Sequence, residues 1–229
     1  MAPATSFPRP PEALLAETLP VSGGGLVAPS LDVEAWVRSE ILAPNRPLSN
    51  YDHAHLVDGQ ARVAFLWSTE VERRQGRRTL GTCQLAAPKG RAWVAAQRRA
   101  QLVGWFGEVP DFLVVLDALF VTHALSTGRT ADVLAVVEHE LYHAAQDTDR
   151  EGEPKYTPDG EPVWGIRPHD TEEFAGVVRR YGVSASANAG PLAEAVEYVR
   201  ENGPDVATAT LDGLCGTCRG PIGGLPAEA

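Results

Sequence analysis

Two histidines and a glutamate stand close together in the segment VEHELYHAAQD, residues 137–147. His139 and His143 are four positions apart, so on an α-helix their imidazoles lie one turn apart on the same side. Glu140 lies about 100° around that helix, within reach of a water molecule near both imidazoles. In this HExxH spacing two neutral imidazoles bind Zn²⁺ and the carboxylate accepts a proton from the activated water. The segment therefore predicts a zinc site with its own general base.

The surrounding residues predict the helix that this spacing requires. Thr130 or Asp132 is expected to cap its start, and the two histidines fall on the side opposite an apolar stripe, which consists of Val133, Leu134, Val137, Leu141, Ala144 and Ala145. The alternative is a solvated helix edge on which these letters coincide by chance.

A catalytic zinc site needs a third protein ligand, with the fourth position left to water. We favour His169, which begins a predicted helix over residues 169–181. Glu173 and Asp170 are the alternatives, and an acid that does not bind the metal would accept a hydrogen bond from an imidazole N–H.

The other metal-binding residue types have weaker patterns. His123 is expected on a predicted strand over residues 111–121 and its continuation, as a hydrogen-bonded structural residue, while His53 and His55 alternate as on a strand and could chelate a metal. Cys215 and Cys218 could form half of a zinc knuckle, a redox pair or a turn without function, and Cys83 could complete a metal site with them. Three cysteines are typical of a reducing compartment rather than of a secreted disulfide framework.

The composition and the distribution of glycine and proline residues predict three regions: a flexible leader over residues 1–30, a main domain over 31–182, and a linker with a short helix and a CxxC tail over 183–229. Within the main domain we predict helices at 32–42 and 90–106. Strands at 61–67 and 79–85 are predicted to form a hairpin whose arginine-rich tip is solvated.

The net charge of -10 opposes a general affinity for nucleic acid or acidic membrane surfaces. The apolar run at residues 112–125 is interrupted by Asp117 and His123 and is too short to cross a bilayer. No secretory signal is visible. These features favour a soluble, cytoplasmic protein.

The order of these segments resembles the putative phage metallopeptidase family of zincin-like domains. The resemblance covers about residues 31–182 and depends on DFLVVLDALFV, VVEHELYHAAQD, an acidic loop with Trp164, and RPHDTEEFAGVVRRYG. It implies an α+β fold: a zincin-like core with a short mixed or antiparallel sheet packed on the HExxH helix, and further helices. It also implies zinc dependence and phage or prophage origin, hence a host cytoplasm. On the matched positions it implies His139, His143 and His169 as zinc ligands and Glu140 as the base.

The predicted function is that of a zinc-dependent metallopeptidase acting on a protein or peptide substrate. Tyr142, Tyr181 and Arg167 are candidates for stabilising the oxyanion. The alternative is a non-catalytic, zinc-stabilised phage module that binds another protein.

Elemental analysis of the purified protein tests this ligand set. We expect close to one zinc per chain in the wild type and loss of zinc in both His143→Ala and His169→Ala, because a site without one of three ligands binds Zn²⁺ far more weakly. Zinc lost only in His143→Ala would indicate that the third ligand is Glu173 or Asp170 instead of His169. No zinc in the wild type after zinc is supplied would refute the predicted site.

Overall fold

The computed structural model describes residues 5–16, 26–74, 76–170 and 189–223. They fall into two compact units, one drawn from Met1–Arg167 and Ala209–Ala229, the other from Pro168–Thr208. The second unit is thus an insertion in the sequence of the first. Its helix, which we number α7, spans Ala189–Asn202.

A mixed sheet organises the first unit. Among the described residues its strands are β1 Val27–Pro29, β2 Val63–Ser68, β3 Arg73–Arg74, β4 Arg77–Leu85, β5 Phe112–Asp117, β8 Asp212–Cys215 and β9 Pro221–Gly223. They follow the order β1-β2-β5-β4-β8-β9, with β3 paired to β4. The β2–β5 and β4–β8 pairs are parallel, and the other neighbours are antiparallel. Two further strands, β6 Ala144–Gln146 and β7 Trp164–Ile166, pair with each other.

Helices cover both faces of this sheet. They are α1 Glu12–Ala16, α2 Leu31–Val37 with a π-helical turn Arg38–Leu42, α3 Ala54–Asp58 preceded by a 3₁₀ turn Tyr51–His53, α4 Ala92–Phe106, α5 Ala118–Ser126 and α6 Thr130–His143. The β2 side chains alternate between two cores. Val63, Phe65 and Trp67 enter the main core with α2, α5 and α6, whereas Ala64 and Leu66 pack against α4. The predicted mixed α+β architecture is therefore confirmed, as are the helices near 32–42 and 90–106.

The predicted hairpin is wrong. Strand β5 lies between β2 and β4, pairing in parallel with β2 and antiparallel with β4. Through the turn before it, β4 instead forms an antiparallel pair with the short strand β3. Non-local pairing with β5 therefore replaces the local pairing that the sequence suggested.

The predicted strand at 111–121 is too long. It ends at Asp117, whose side chain accepts hydrogen bonds from the backbone N–H groups of Leu119 (3.0 Å) and Phe120 (3.3 Å) and so caps α5. His123 consequently lies on a helix rather than a strand, and it is exposed.

Part of the predicted flexible leader packs into the main core. The Phe7 ring lies 5.0 Å from that of Trp36 and 6.4 Å from that of Trp67, and Leu14 is also buried. At the other end of the chain, β8 and β9 extend the sheet. The described residues 5–16 and 209–223 thus belong to the first unit.

None of the described helices has the length and apolar character needed to cross a membrane.

Asp117 joins strand β5, helix α5 and strand β4, and its replacement by alanine tests this junction. The buried carboxylate accepts two hydrogen bonds from Arg78 (2.7 and 2.9 Å) besides capping α5. We expect Asp117→Ala to lower the free energy of unfolding by about 3 kcal/mol, because it removes a cap and leaves Arg78 unpaired. Chemical denaturation followed by circular dichroism measures this.

Asp212→Ala is the matched control. The exposed Asp212 forms a salt bridge of 3.1 Å with Arg77, the residue directly before Arg78 in β4. This substitution should lower the free energy of unfolding by less than about 1 kcal/mol. Equal losses in the two variants would contradict the role given to Asp117.

Candidate metal centre

Helix α6 lies very close to strand β4 at Gly81. A Cβ atom added to Gly81 would lie 2.8 Å from Glu140 Cγ and 3.0 Å from Val136 Cγ1. Real Cβ atoms do not approach other atoms this closely, so the glycine permits the helix to pack here. As a result Glu140, in the last turns of α6, is completely buried.

His143 is oriented by the chain that returns through β7. Its Nδ1 lies 2.7 Å from the backbone oxygen of Arg167, whose own N–H donates to the His143 oxygen at 2.9 Å. A carbonyl only accepts, so Nδ1 carries the proton and Nε2 is left as a lone-pair donor. Such a hydrogen bond to the second ring nitrogen is typical of histidines that bind metals. The Nε2 atom lies 3.3 Å from Cys215 Sγ.

Residues 209–223, which we call the C-terminal strap, run along α6. At the start of the helix the buried Asp132 accepts a hydrogen bond from Thr210 N (2.7 Å), and Arg129 donates to Thr210 O (3.0 Å). The strap then pairs with β4, where Gly216 N donates to Gly81 O at 2.7 Å. This path brings Cys215 to the end of the helix that carries the histidines.

Four side chains of the first unit form a cluster that could hold a metal ion: His139, His143, Cys215 and Cys218. Their ligand atoms all lie within 4.8 Å of one another. The two imidazole rings are 5.0 Å apart and nearly perpendicular. Two nitrogens and two sulfurs are a donor set that suits Zn²⁺, so the residues present fit the metal that the sequence predicts.

Both thiols of the cluster receive backbone hydrogen bonds. Cys218 N lies 3.4 Å from Cys215 Sγ, and Gly220 N lies 3.5 Å from Cys218 Sγ. Burial nevertheless raises the pKa of Cys215 and raises that of Cys218 to about 11. A bound cation reverses this effect, because it stabilises the thiolate directly.

Glu140 contacts the strap through Thr217. Its Oε2 accepts a hydrogen bond from Thr217 Oγ1 at 2.9 Å, and the same hydroxyl accepts from Cys83 N at 2.6 Å. Among the described residues, Glu140 Oε1 has no hydrogen-bond partner although it is buried. Burial raises the pKa of Glu140, against the opposing effects of Thr217 and His143.

His53 and His55 lie outside the cluster and have structural partners. His53 Nε2 is 2.9 Å from Glu138 Oε2, and His55 Nε2 is 2.8 Å from the backbone oxygen of Ala144. The metal role considered for them from the sequence is not supported by these contacts.

The remaining predicted site residues differ in how far the structure describes them. His169 and Asp170 belong to the second unit, so their role as third ligand stays a prediction. Glu173 and Tyr181 lie outside the described residues. Tyr142 directs its hydroxyl to Asp52 at 2.6 Å.

The zinc site predicted from the sequence did not include Cys215 and Cys218. Their CxxC spacing was the available signal. It could not show a link to α6, because Cys215 and His143 are 72 positions apart.

These features define a mixed α+β protein with a helix-borne HExxH motif whose two histidines belong to a His/Cys cluster that could hold a metal ion. Residues 34–197, well over half of the chain, match the family described as "Putative phage metallopeptidase". The chain belongs to this family, and the expected membership is confirmed. No curated protein and no solved structure gives a significant match to the chain.

Thr217→Val tests the hydroxyl that links the strap to β4 and Glu140. We expect it to lower the free energy of unfolding of the metal-free protein by about 2 kcal/mol, because the Cys83 N–H and a Glu140 oxygen lose their partner inside the protein. Denaturant titration in the presence of a chelator measures the change. Thr217→Ser keeps the hydroxyl and removes only a methyl group. Its free energy of unfolding should therefore change only by the loss of that methyl group, to within about 0.5 kcal/mol. A valine variant as stable as the serine variant would contradict this account.

Proposed function

We propose that this protein is a zinc-dependent metallopeptidase in which His139 and His143 hold the ion and Glu140 is the general base. The single observation that carries the proposal is the position of Glu140. It is buried against Gly81 of β4, and the two histidines of the same motif offer ring nitrogens that lie within 4.8 Å of each other. Membership of the phage metallopeptidase family supports the same class of reaction.

A zinc ion bound there would supply a Lewis acid, which lowers the pKa of water toward about 7 and polarises a scissile carbonyl. The hydrogen bond to Arg167 O already fixes the His143 ring in the tautomer whose Nε2 lone pair can bind a metal. His169 is proposed as the third ligand, with Glu173 or Asp170 as alternatives.

Glu140 would take a proton from the attacking water and pass it to the leaving amine. Its buried position supports this role, because a carboxylate whose pKa is raised accepts and returns a proton more readily near neutral pH. Thr217 holds one carboxylate oxygen, and the other has no partner among the described residues. That second oxygen is the one available for the proton.

Tyr142 is less suited than Arg167 or Tyr181 to stabilise the oxyanion. Its hydroxyl is bonded to Asp52 at 2.6 Å and receives a bond from Asn50 at 3.2 Å. Burial and the contact with Asp52 raise the pKa of Tyr142 to about 12. We therefore keep Arg167 and Tyr181 as the candidates.

One observation favours a second function, a non-catalytic zinc-stabilised module that binds another phage or host protein. The cluster in the first unit offers four donors, and four protein ligands without water are typical of structural zinc sites. In that case Glu140 would serve packing alone.

The proposed substrate is a protein or peptide. The net charge of -10 makes nucleic acid an unfavourable partner. Phage or prophage origin and action in the host cytoplasm remain proposals.

Glu140→Gln separates the two functions. We expect the variant to keep its zinc and its circular dichroism spectrum and to lose at least about 100-fold in hydrolysis of fluorescently labelled, unfolded casein, because the amide cannot accept the proton. Hydrolysis is followed over hours against a protein-free blank.

Glu138→Gln is the matched control on the same helix, since Glu138 binds His53 and Asn50 away from the cluster. It should retain the wild-type rate. Equal rates for Glu140→Gln and the wild type would exclude Glu140 as the base.

A further inference from the structure

We infer that Cys215 and Cys218 bind the same metal ion as His139 and His143, so that the C-terminal strap holds the centre in a closed, four-ligand state. The ligand assignment stands on the cluster itself. The second part, that closure keeps the peptidase latent, rests on the proposed function.

The placement of the two thiols supports their role as ligands. The Cys215 side chain is completely buried with its sulfur 3.3 Å from His143 Nε2, the atom left available for a metal. Each sulfur accepts a backbone N–H, and such hydrogen bonds favour the thiolate form that binds metals. Cys83, by contrast, is packed within the main hydrophobic core.

The strap fits against β4 without room for side chains at two positions. A Cβ atom on Gly216 would collide with Thr82 Oγ1 and lie 2.9 Å from Thr79 Cγ2. One on Gly213 would overlap the Leu80 side chain in the same way. Neither glycine has a positive φ, so it is the closeness of the strap to β4 that requires them.

The seated strap closes the centre in two ways. Cys215 and Cys218 complete the four ligands that zinc prefers, which leaves no position for water or for the proposed third ligand His169 until a thiolate withdraws. Thr217, between the two cysteines, binds the carboxylate of Glu140. Hydrolysis therefore requires that the strap withdraw at least one thiolate.

Cobalt substitution tests the ligand assignment without reference to activity. Metal-free wild-type protein titrated with Co²⁺ should develop an intense near-ultraviolet absorption from thiolate-to-cobalt charge transfer. This band should fall by about half in Cys215→Ala and in Cys218→Ala, since each removes one of two thiolates, and should persist in Cys83→Ala, the matched thiol control. A wild-type complex without this band, or single variants with the full band, would overturn the assignment.

A second measurement does not depend on whether Cys215→Ala folds. Alkylation of the wild-type protein, read by mass spectrometry at each cysteine, should slow at least about tenfold at Cys218 when Zn²⁺ is added, because a bound thiolate is a poor nucleophile. Cys218 is partly exposed and so is open to the reagent in the metal-free protein. An unchanged rate at Cys218 would count against its ligation.

Gly216→Ala tests the closure, because it weakens the fit of the strap without changing a ligand. We expect faster casein hydrolysis than in the wild type, by about tenfold or more, and loss of that hydrolysis when Glu140→Gln is added. Gly104→Ala is the matched control, since a Cβ atom there, on α4, would meet no other atom within 4 Å, and it should leave the rate of casein hydrolysis at the wild-type value.

The outcomes separate the two proposals. Hydrolysis by the wild type that Gly216→Ala does not accelerate would overturn latency. A cobalt band that follows the cysteines, with no hydrolysis by the wild type, Gly216→Ala or Cys218→Ala, would refute the proposed peptidase and leave the four-ligand centre supported.

Discussion

The close approach of α6 to β4 at Gly81 is the constraint on which the centre depends. It places Glu140 in the interior of the protein directly beside the two histidines. A buried carboxylate costs free energy unless it is hydrogen-bonded, and here the partner comes from Thr217 in the strap. The strap is therefore part of the interior of the first unit, since Thr217 stabilises the residue that the fold buries.

The same helix is held at its end by contacts that fix the direction of the His143 imidazole. His143 and Arg167 exchange backbone and ring hydrogen bonds, and β6 pairs with β7 just beyond the helix. His55 contacts Ala144 O from the other side. These contacts surround the last turn of α6 with partners from distant parts of the sequence, and a ring that cannot rotate binds a metal with less loss of entropy.

The sequence predicted the structure correctly where the pattern involves residues close together in the chain. The apolar periodicity around residues 130–143 predicted α6, and the i, i+4 spacing brought His139 and His143 together as expected. It failed where pairing is non-local, because no pattern in residues 61–85 shows that β5 will insert between β2 and β4. It also failed for the strap, which lies beyond the segment at about 31–182 that suggested the family and is separated from α6 in the sequence by the whole inserted unit.

The pairing of β8 with β4 has a consequence for the protein in solution. Strand β4 spans nine residues, Arg77–Leu85, and without the strap much of one side would present unpaired N–H and C=O groups. An exposed sheet edge of this kind recruits strands from other chains. Release of the strap from β4 would thus also create a surface prone to self-association, so the concentration of the protein would limit how long a released form could persist as a monomer.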